Sequence, residues 1–134
     1  MAIIITLLLS LNSTQFVSST IITIPPPTIT DGEGNLLDVP TVGKQVTISR
    51  SFTANIESSR QFLALFEIRN SDGVSVYIAW QTGIIYPKDD VVVGVSWMPE
   101  EAGDYDVRTF LLSNLTQPEV LSVVGSHDVK VIYA

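Results

Sequence analysis

The chain has 134 residues, 14 acidic against 7 basic, for a formal net charge of -7, and 46% of it is hydrophobic. That length suits one domain with its own core, and that apolar content excludes a disordered polypeptide. The acidic balance argues against nucleic acid and anionic membranes as partners, and the absence of cysteine removes disulfides and thiolate metal sites.

Residues 1–20 read as a separate unit. Ala2 to Leu11 is an uncharged apolar run of ten residues, too short for a membrane-spanning helix, which needs about twenty. It fits the apolar region of a secretory signal peptide, with Val17-Ser18-Ser19 as a cleavage context, although no Lys or Arg precedes it. Two other readings stand beside that one: an ordinary N-terminal strand, or an apolar strand donated to a neighbouring subunit. No transmembrane span is expected.

Residues 21–134 are expected to form one domain. Thr20 to Ile24 opens it as a short strand, followed by Pro25-Pro26-Pro27. Proline cannot donate to a sheet ladder, so the run belongs at an edge or at a switch between sheets. Asp31 to Asp38 is a turn rich in glycine and carboxylates. Its Asp31, Glu33 and Asn35 resemble a calcium loop in spacing only; the Gly and Glu that such a loop requires at its sixth and twelfth positions are missing. Together with Asp89 and Asp90, Asp31 and Glu33 form a weak set of calcium candidates.

From Val46 to Ala54 apolar and hydroxyl residues alternate, which predicts a half-buried strand. Arg50 falls on the apolar side, where a bulge or a side chain reaching out to water is expected. Gln61 to Asn70 and Val74 to Trp80 flank an Asp72-Gly73 turn and predict a hairpin, with Val74, Val76, Ile78 and Trp80 aligned. Gly83 to Asp90 is expected to be a loop. Val91, Val93, Val95 and Trp97 then share a face, as do Tyr105, Val107, Thr109 and Leu111. Trp80 and Trp97, both on apolar sides, are expected in the core. Val120 to Val124 reads as a short strand or a strand entry and Asp128 to Tyr133 as the closing strand, with His127 at its start.

The stretch from Trp97 to Val107 joins two of these strands. Trp97 ends one, Pro99 stops it, Gly103 allows a sharp turn and Tyr105 opens the next. This is the pattern of a tyrosine corner, whose hydroxyl bonds back to the corner's backbone. The reading is therefore all-β: an immunoglobulin-like antiparallel β-sandwich of about seven strands. The phrases VGKQVTIS, FEIRNSDGVSVYIAWQTG and VSWMPEEAGDYDVRTFLLSNL resemble immunoglobulin-like repeats in secreted and surface proteins of ammonia-oxidising archaea. They are also similar to adhesion-type and fibronectin-III-like modules. The resemblance implies a spacer, adhesive unit or envelope component. It implies no active site.

The residue inventory agrees. A single histidine, His127, adjoins Asp128 on what reads as a strand, so their side chains diverge. A blue-copper site needs two His and a Cys, and zinc sites fail on the same count. The carboxylate pairs Asp89-Asp90, Glu100-Glu101 and Asp104 with Asp106 read as solvated charges. Asn114-Leu115-Thr116 is a glycosylation sequon in a loop, and Asn12-Ser13-Thr14 is another within the leader-like segment. The leading expectation is a non-enzymatic secreted or cell-surface module with a structural or adhesive role. Its partners would be protein or envelope surfaces, including copies of itself, and no cofactor is expected. The alternatives are a filament subunit assembled by N-terminal strand exchange, or a carbohydrate- or calcium-binding module.

Overall fold

Alternating sequences that bury one face must pack two sheets together. In the computed structural model, which describes residues 21–134 apart from Ile24 and Leu115, they do so with eight strands. These are β1 (Ile21–Thr23), β2 (Thr28–Thr30), β3 (Val46–Ala54), β4 (Arg60–Arg69), β5 (Ser75–Ile85), β6 (Asp90–Trp97), β7 (Gly103–Leu112) and β8 (Val120–Val131). The leader-like residues 1–20 lie outside the described residues. Among the described residues no helix is long and apolar enough to cross a membrane.

In sheet one, β3 is central. It pairs antiparallel with β6 along one side and with β1 and β2, end to end, along the other. Sheet two has the order β5-β4-β7-β8, antiparallel throughout. The core lies between the sheets. It gathers Val46, Ile48, Phe52 and Ala54 from β3, Phe62, Ala64, Phe66 and Ile68 from β4, and Tyr105, Val107 and Leu111 from β7. Phe52 and Phe62 meet edge to face across the layers, with ring centroids 5.6 Å apart.

Several expectations are corrected here. The proline run does not switch sheets, because β1 and β2, on either side of it, both pair with β3. The switch comes later, at Pro40–Val42. There Val42 donates its N–H to Ile132 O at 2.9 Å and Ile132 donates to Pro40 O at 3.1 Å, forming a parallel bridge beside β8. The expected loop from Gly83 is shorter, since β5 runs on to Ile85. The two short C-terminal segments are one strand, β8, whose ladder with β7 shifts register around Leu111. His127 therefore sits in mid-strand, half-buried opposite Val107, rather than at a strand start.

The β4–β5 turn is longer than a two-residue hairpin. Gly73 donates to Asn70 O, and the Asn70 side chain accepts the N–H groups of Asp72 and Val74. Asn70 thus supplies an Asx-type turn, which moves Gly73 to the position of positive φ after it.

Arg50 needs neither a bulge nor a route to water. The β3–β6 register is regular through Arg50 and Val93, and the side chain stays inside at 3% exposure. Its Nε donates to Thr109 Oγ1 at 3.2 Å and its Nη1 to the Pro25 carbonyl. Room for the guanidinium comes from β8: a Cβ at Gly125 would overlap Arg50 Nη2. Burial pushes the Arg50 guanidinium below its usual range, and among the described residues it forms no ion pair.

Candidate functional site

The corner is built by short-range sequence. β6 ends at Trp97, and Pro99 lacks the N–H that would continue the ladder. Gly103 opens β7 at φ 148°, a conformation that side chains with a Cβ rarely adopt. Tyr105 follows, and its hydroxyl donates to Glu101 O at 2.7 Å. Its ring meets Trp97 edge to face, with centroids 5.2 Å apart. Burial pushes the Tyr105 phenol above its usual value, and the carboxylates of Glu101 and Glu100 add to the shift. The corner carries the chain from β6 in sheet one to β7 in sheet two. Its groups are committed to one another, so it is a structural joint.

The surface with binding chemistry lies elsewhere, on sheet two. Antiparallel neighbours share a face, so the pairing of Phe66 with Ala79 and Phe62 with Gly83 turns the odd-numbered positions of β5 inward. Val76, Ile78, Trp80 and Ile84 therefore point away from the core. They are 48%, 52%, 55% and 50% exposed, and Val74 and Tyr86 flank them at 56% and 55%. This corrects the core assignment of Trp80 and of the face it belongs to; Trp97 is buried at 5%. The sequence offers the physical reason in β4, where Phe62 to Phe66 is apolar on both sides. With β4 able to face either way, the alternation in β5 does not declare its inward side.

Further across the outer face, Leu65 pairs with Trp80 and with Phe110 of β7, and both are half-buried. One charged cluster bounds this surface. Glu67 accepts from Arg108 Nη1 at 3.0 Å and from the Ser75 hydroxyl, and lies 3.2 Å from Arg69 Nε. The Ser75 hydrogen bond, with the two arginines behind it, holds the Glu67 carboxyl below its usual value. Arg108 also lies 5.1 Å from the Phe110 ring centroid.

The calcium candidates are not brought together. Asp31 follows β2, which pairs with β3 near Thr47, whereas Asp90 pairs with Thr53 at the other end of β3. Six residues of strand separate them, about 20 Å at 3.3 Å per residue. Asp31 instead accepts the N–H groups of Glu33 and Asn35, both at 2.9 Å. These bonds, that from Asn35 first, hold its carboxyl below the usual value. Asp90 accepts from the Thr53 hydroxyl at 2.7 Å. Among the described residues no three His, Cys, Asp or Glu side chains are placed to share a metal ion. Asn114 is exposed in the β7–β8 loop, its Oδ1 accepting the N–H groups of Thr116 and Gln117.

No family model matches the chain, and no curated protein matches it. Solved structures do. The C-terminal domain of Wzt is similar at TM-score 0.69 and 16% identity, over 85% of this chain and 73% of that one. The CARDB domain of a Pyrococcus furiosus protein, solved in complex with di-metal ions, is similar at TM-score 0.59 and 17% identity, over 87% and 97%. A β-glucuronidase of glycoside hydrolase family 2 matches at TM-score 0.62 and 9% identity, over 79% of this chain but 11% of the enzyme. At these identities the likeness concerns architecture, and with the strand order above it establishes an immunoglobulin-like antiparallel β-sandwich.

Proposed function

We propose that this protein is a non-enzymatic module of the cell surface or secreted space, with a structural or adhesive role. The observation that carries the reading is the exposed Val74–Tyr86 face on an otherwise acidic domain. Contiguous exposed apolar surface suits association with another surface. From Val74 to Tyr86 it carries no carboxylate, imidazole or basic side chain. The nearby titratable cluster around Glu67 is internally paired. Likeness to a CARDB domain is compatible with a module that binds without catalysing. In a secreted setting Asn114 is the glycosylation site, exposed and in a loop.

Fractionation of native cells, followed by intact-mass measurement, tests this. The reading expects the protein in the envelope or medium fraction, shortened by about twenty residues as signal peptides are. Extra mass on the Asn114 peptide would add glycosylation. Confinement to the cytosol at full mass would sink it.

A carbohydrate-binding role is the second reading. Trp80 and Tyr86, each 55% exposed on one side of β5, are the observation that favours it, since exposed aromatic rings can stack on sugars. A glycan array that retains the wild-type chain but not Trp80→Ala would select this reading.

A further inference from the structure

We propose that β5 is a self-association edge, along which two copies of this chain pair antiparallel about a two-fold axis at Trp80. The inference concerns how the module assembles and is independent of where the protein resides.

An edge strand carries unpaired backbone groups and is a template for another strand, so folded proteins block their edges. Among the described residues, three of the four sheet edges are blocked. On the β1 and β2 side the strands are three residues each, with Pro25-Pro26-Pro27 lying between them. On β6, the Gly94 N–H donates to Gln81 Oε1 at 2.9 Å and the Ser96 carbonyl accepts from the Tyr77 hydroxyl. Side chains of β5 thus occupy the groups that a foreign strand would use. On β8, Pro40–Val42 covers the C-terminal end, the ladder is irregular, and Asp128 and Lys130 are exposed.

β5 has none of these devices. It is eleven residues long, and its ladder with β4 is unbroken from Tyr77 to Ile85. Neither a charged residue nor a proline occurs from Ser75 to Tyr86. Trp80 is its midpoint.

The sequence around that midpoint is self-complementary. With Trp80 opposite Trp80 of the second copy, antiparallel register sets Ile78 against Thr82, Val76 against Ile84 and Val74 against Tyr86. Each exposed apolar residue then meets an uncharged partner on the same face, as stabilising cross-strand pairs do. Just beyond the strand ends, the same register sets Asp72 against Lys88, twice. Those are the first charged residues on either side of β5, and their signs are opposite. The contact is isologous and closed, so it yields a dimer with one continuous eight-stranded sheet.

Sedimentation equilibrium of the full chain tests the proposal, with Ile78→Lys as the first variant. Ile78 is 52% exposed, so the fold should tolerate lysine there, and circular dichroism checks that it does. Wild type is expected to dimerise reversibly, and Ile78→Lys to raise the dimer dissociation constant at least tenfold. Asp72→Lys should weaken the dimer, and Asp72→Lys combined with Lys88→Asp should recover it. Because the chain has no cysteine, Trp80→Cys should oxidise to a covalent dimer while Val92→Cys, more exposed and on sheet one, should not. A wild type that stays monomeric at several hundred micromolar would overturn the proposal. So would a dimer that survives Ile78→Lys and dissociates with Val92→Lys, or a charge swap without recovery.

Discussion

Trp97 and Trp80 sit in strands of similar character and meet opposite fates. Each lies on the apolar side of an alternating run, and each is the largest residue of that run. Trp97 is 5% exposed and packs on Tyr105; Trp80 is 55% exposed on the outer face of an edge strand. The difference comes from the neighbours. β6 pairs with β3, whose apolar residues all lie on one side, so the ladder leaves no choice of face. β5 pairs with β4, whose Phe62–Phe66 stretch is apolar on both sides. Alternation states that a strand has two unlike faces; only its partner decides which one is covered.

The contrast can be broken most forcefully at Trp97. Trp97→Ala is expected to destabilise by about 3–5 kcal/mol, the usual range for an aromatic truncated in a core, whereas Trp80→Ala should stay within about 0.5 kcal/mol in dilute monomer. Urea unfolding of the two variants side by side measures this. Equal losses would mean that Trp80 is buried after all.

Next in size is the corner hydroxyl. Tyr105→Phe removes the bond to Glu101 O and leaves that carbonyl to water or nothing, for a loss of about 1 kcal/mol. A pH signature accompanies it. The phenol is raised in the folded state above its ordinary value of 10.0. Its contribution is therefore complete below pH 10 and disappears as pH rises through the folded value. Thermal melts between neutral and strongly alkaline pH should show this alkaline limb in wild type and a flatter one in Tyr105→Phe.

This part of the molecule was readable in advance because its determinants are adjacent in sequence. Trp97, Pro99, Gly103 and Tyr105 span nine residues, and a proline, a glycine and a tyrosine at those spacings act on the backbone locally. Strand positions in β3, β6 and β7 were readable for the same reason. What was not readable depends on long-range pairing: the outward face of β5, the late crossing at Pro40–Val42 and the inward course of Arg50. The guanidinium is accommodated by Gly125 and Thr109, residues 75 and 59 positions away, and no local pattern around Arg50 announces them. The acidic loops misled for a related reason. Spacing within the Asp31 loop says nothing about its distance from Asp90, which the length of β3 sets.

A smaller effect sharpens the comparison on the exposed side. Glu67 lies opposite Ile78, on the same face as Trp80, and its carboxyl is held below its ordinary value of 4.5. Its contribution is present above pH 4.5 and is lost as pH falls through the folded value. Glu67→Gln should therefore shallow the acid limb of stability, read from urea midpoints at pH 7 and pH 3. An unchanged acid limb would show that the Ser75 and arginine contacts do not persist in solution. Smallest of all is an optical difference. With Trp97 replaced by Phe, the remaining emission should resemble indole in water and be quenched readily by iodide. With Trp80 replaced, the emission should shift to the blue and resist quenching.

Arg50 and Gly125 also constrain how this sequence can change over time. A methyl group at position 125 meets the guanidinium, and a shorter residue at position 50 abandons the carbonyl of Pro25 and leaves a void beside Gly125. Each single step is expected to cost stability, while the paired step exchanges one filled arrangement for another. Among relatives of this chain, the two positions should accordingly covary: arginine inherited with glycine, and an apolar residue at 50 inherited with a larger residue at 125. That coupling joins β3 to β8, and it would be visible in an alignment before any relative's structure were known.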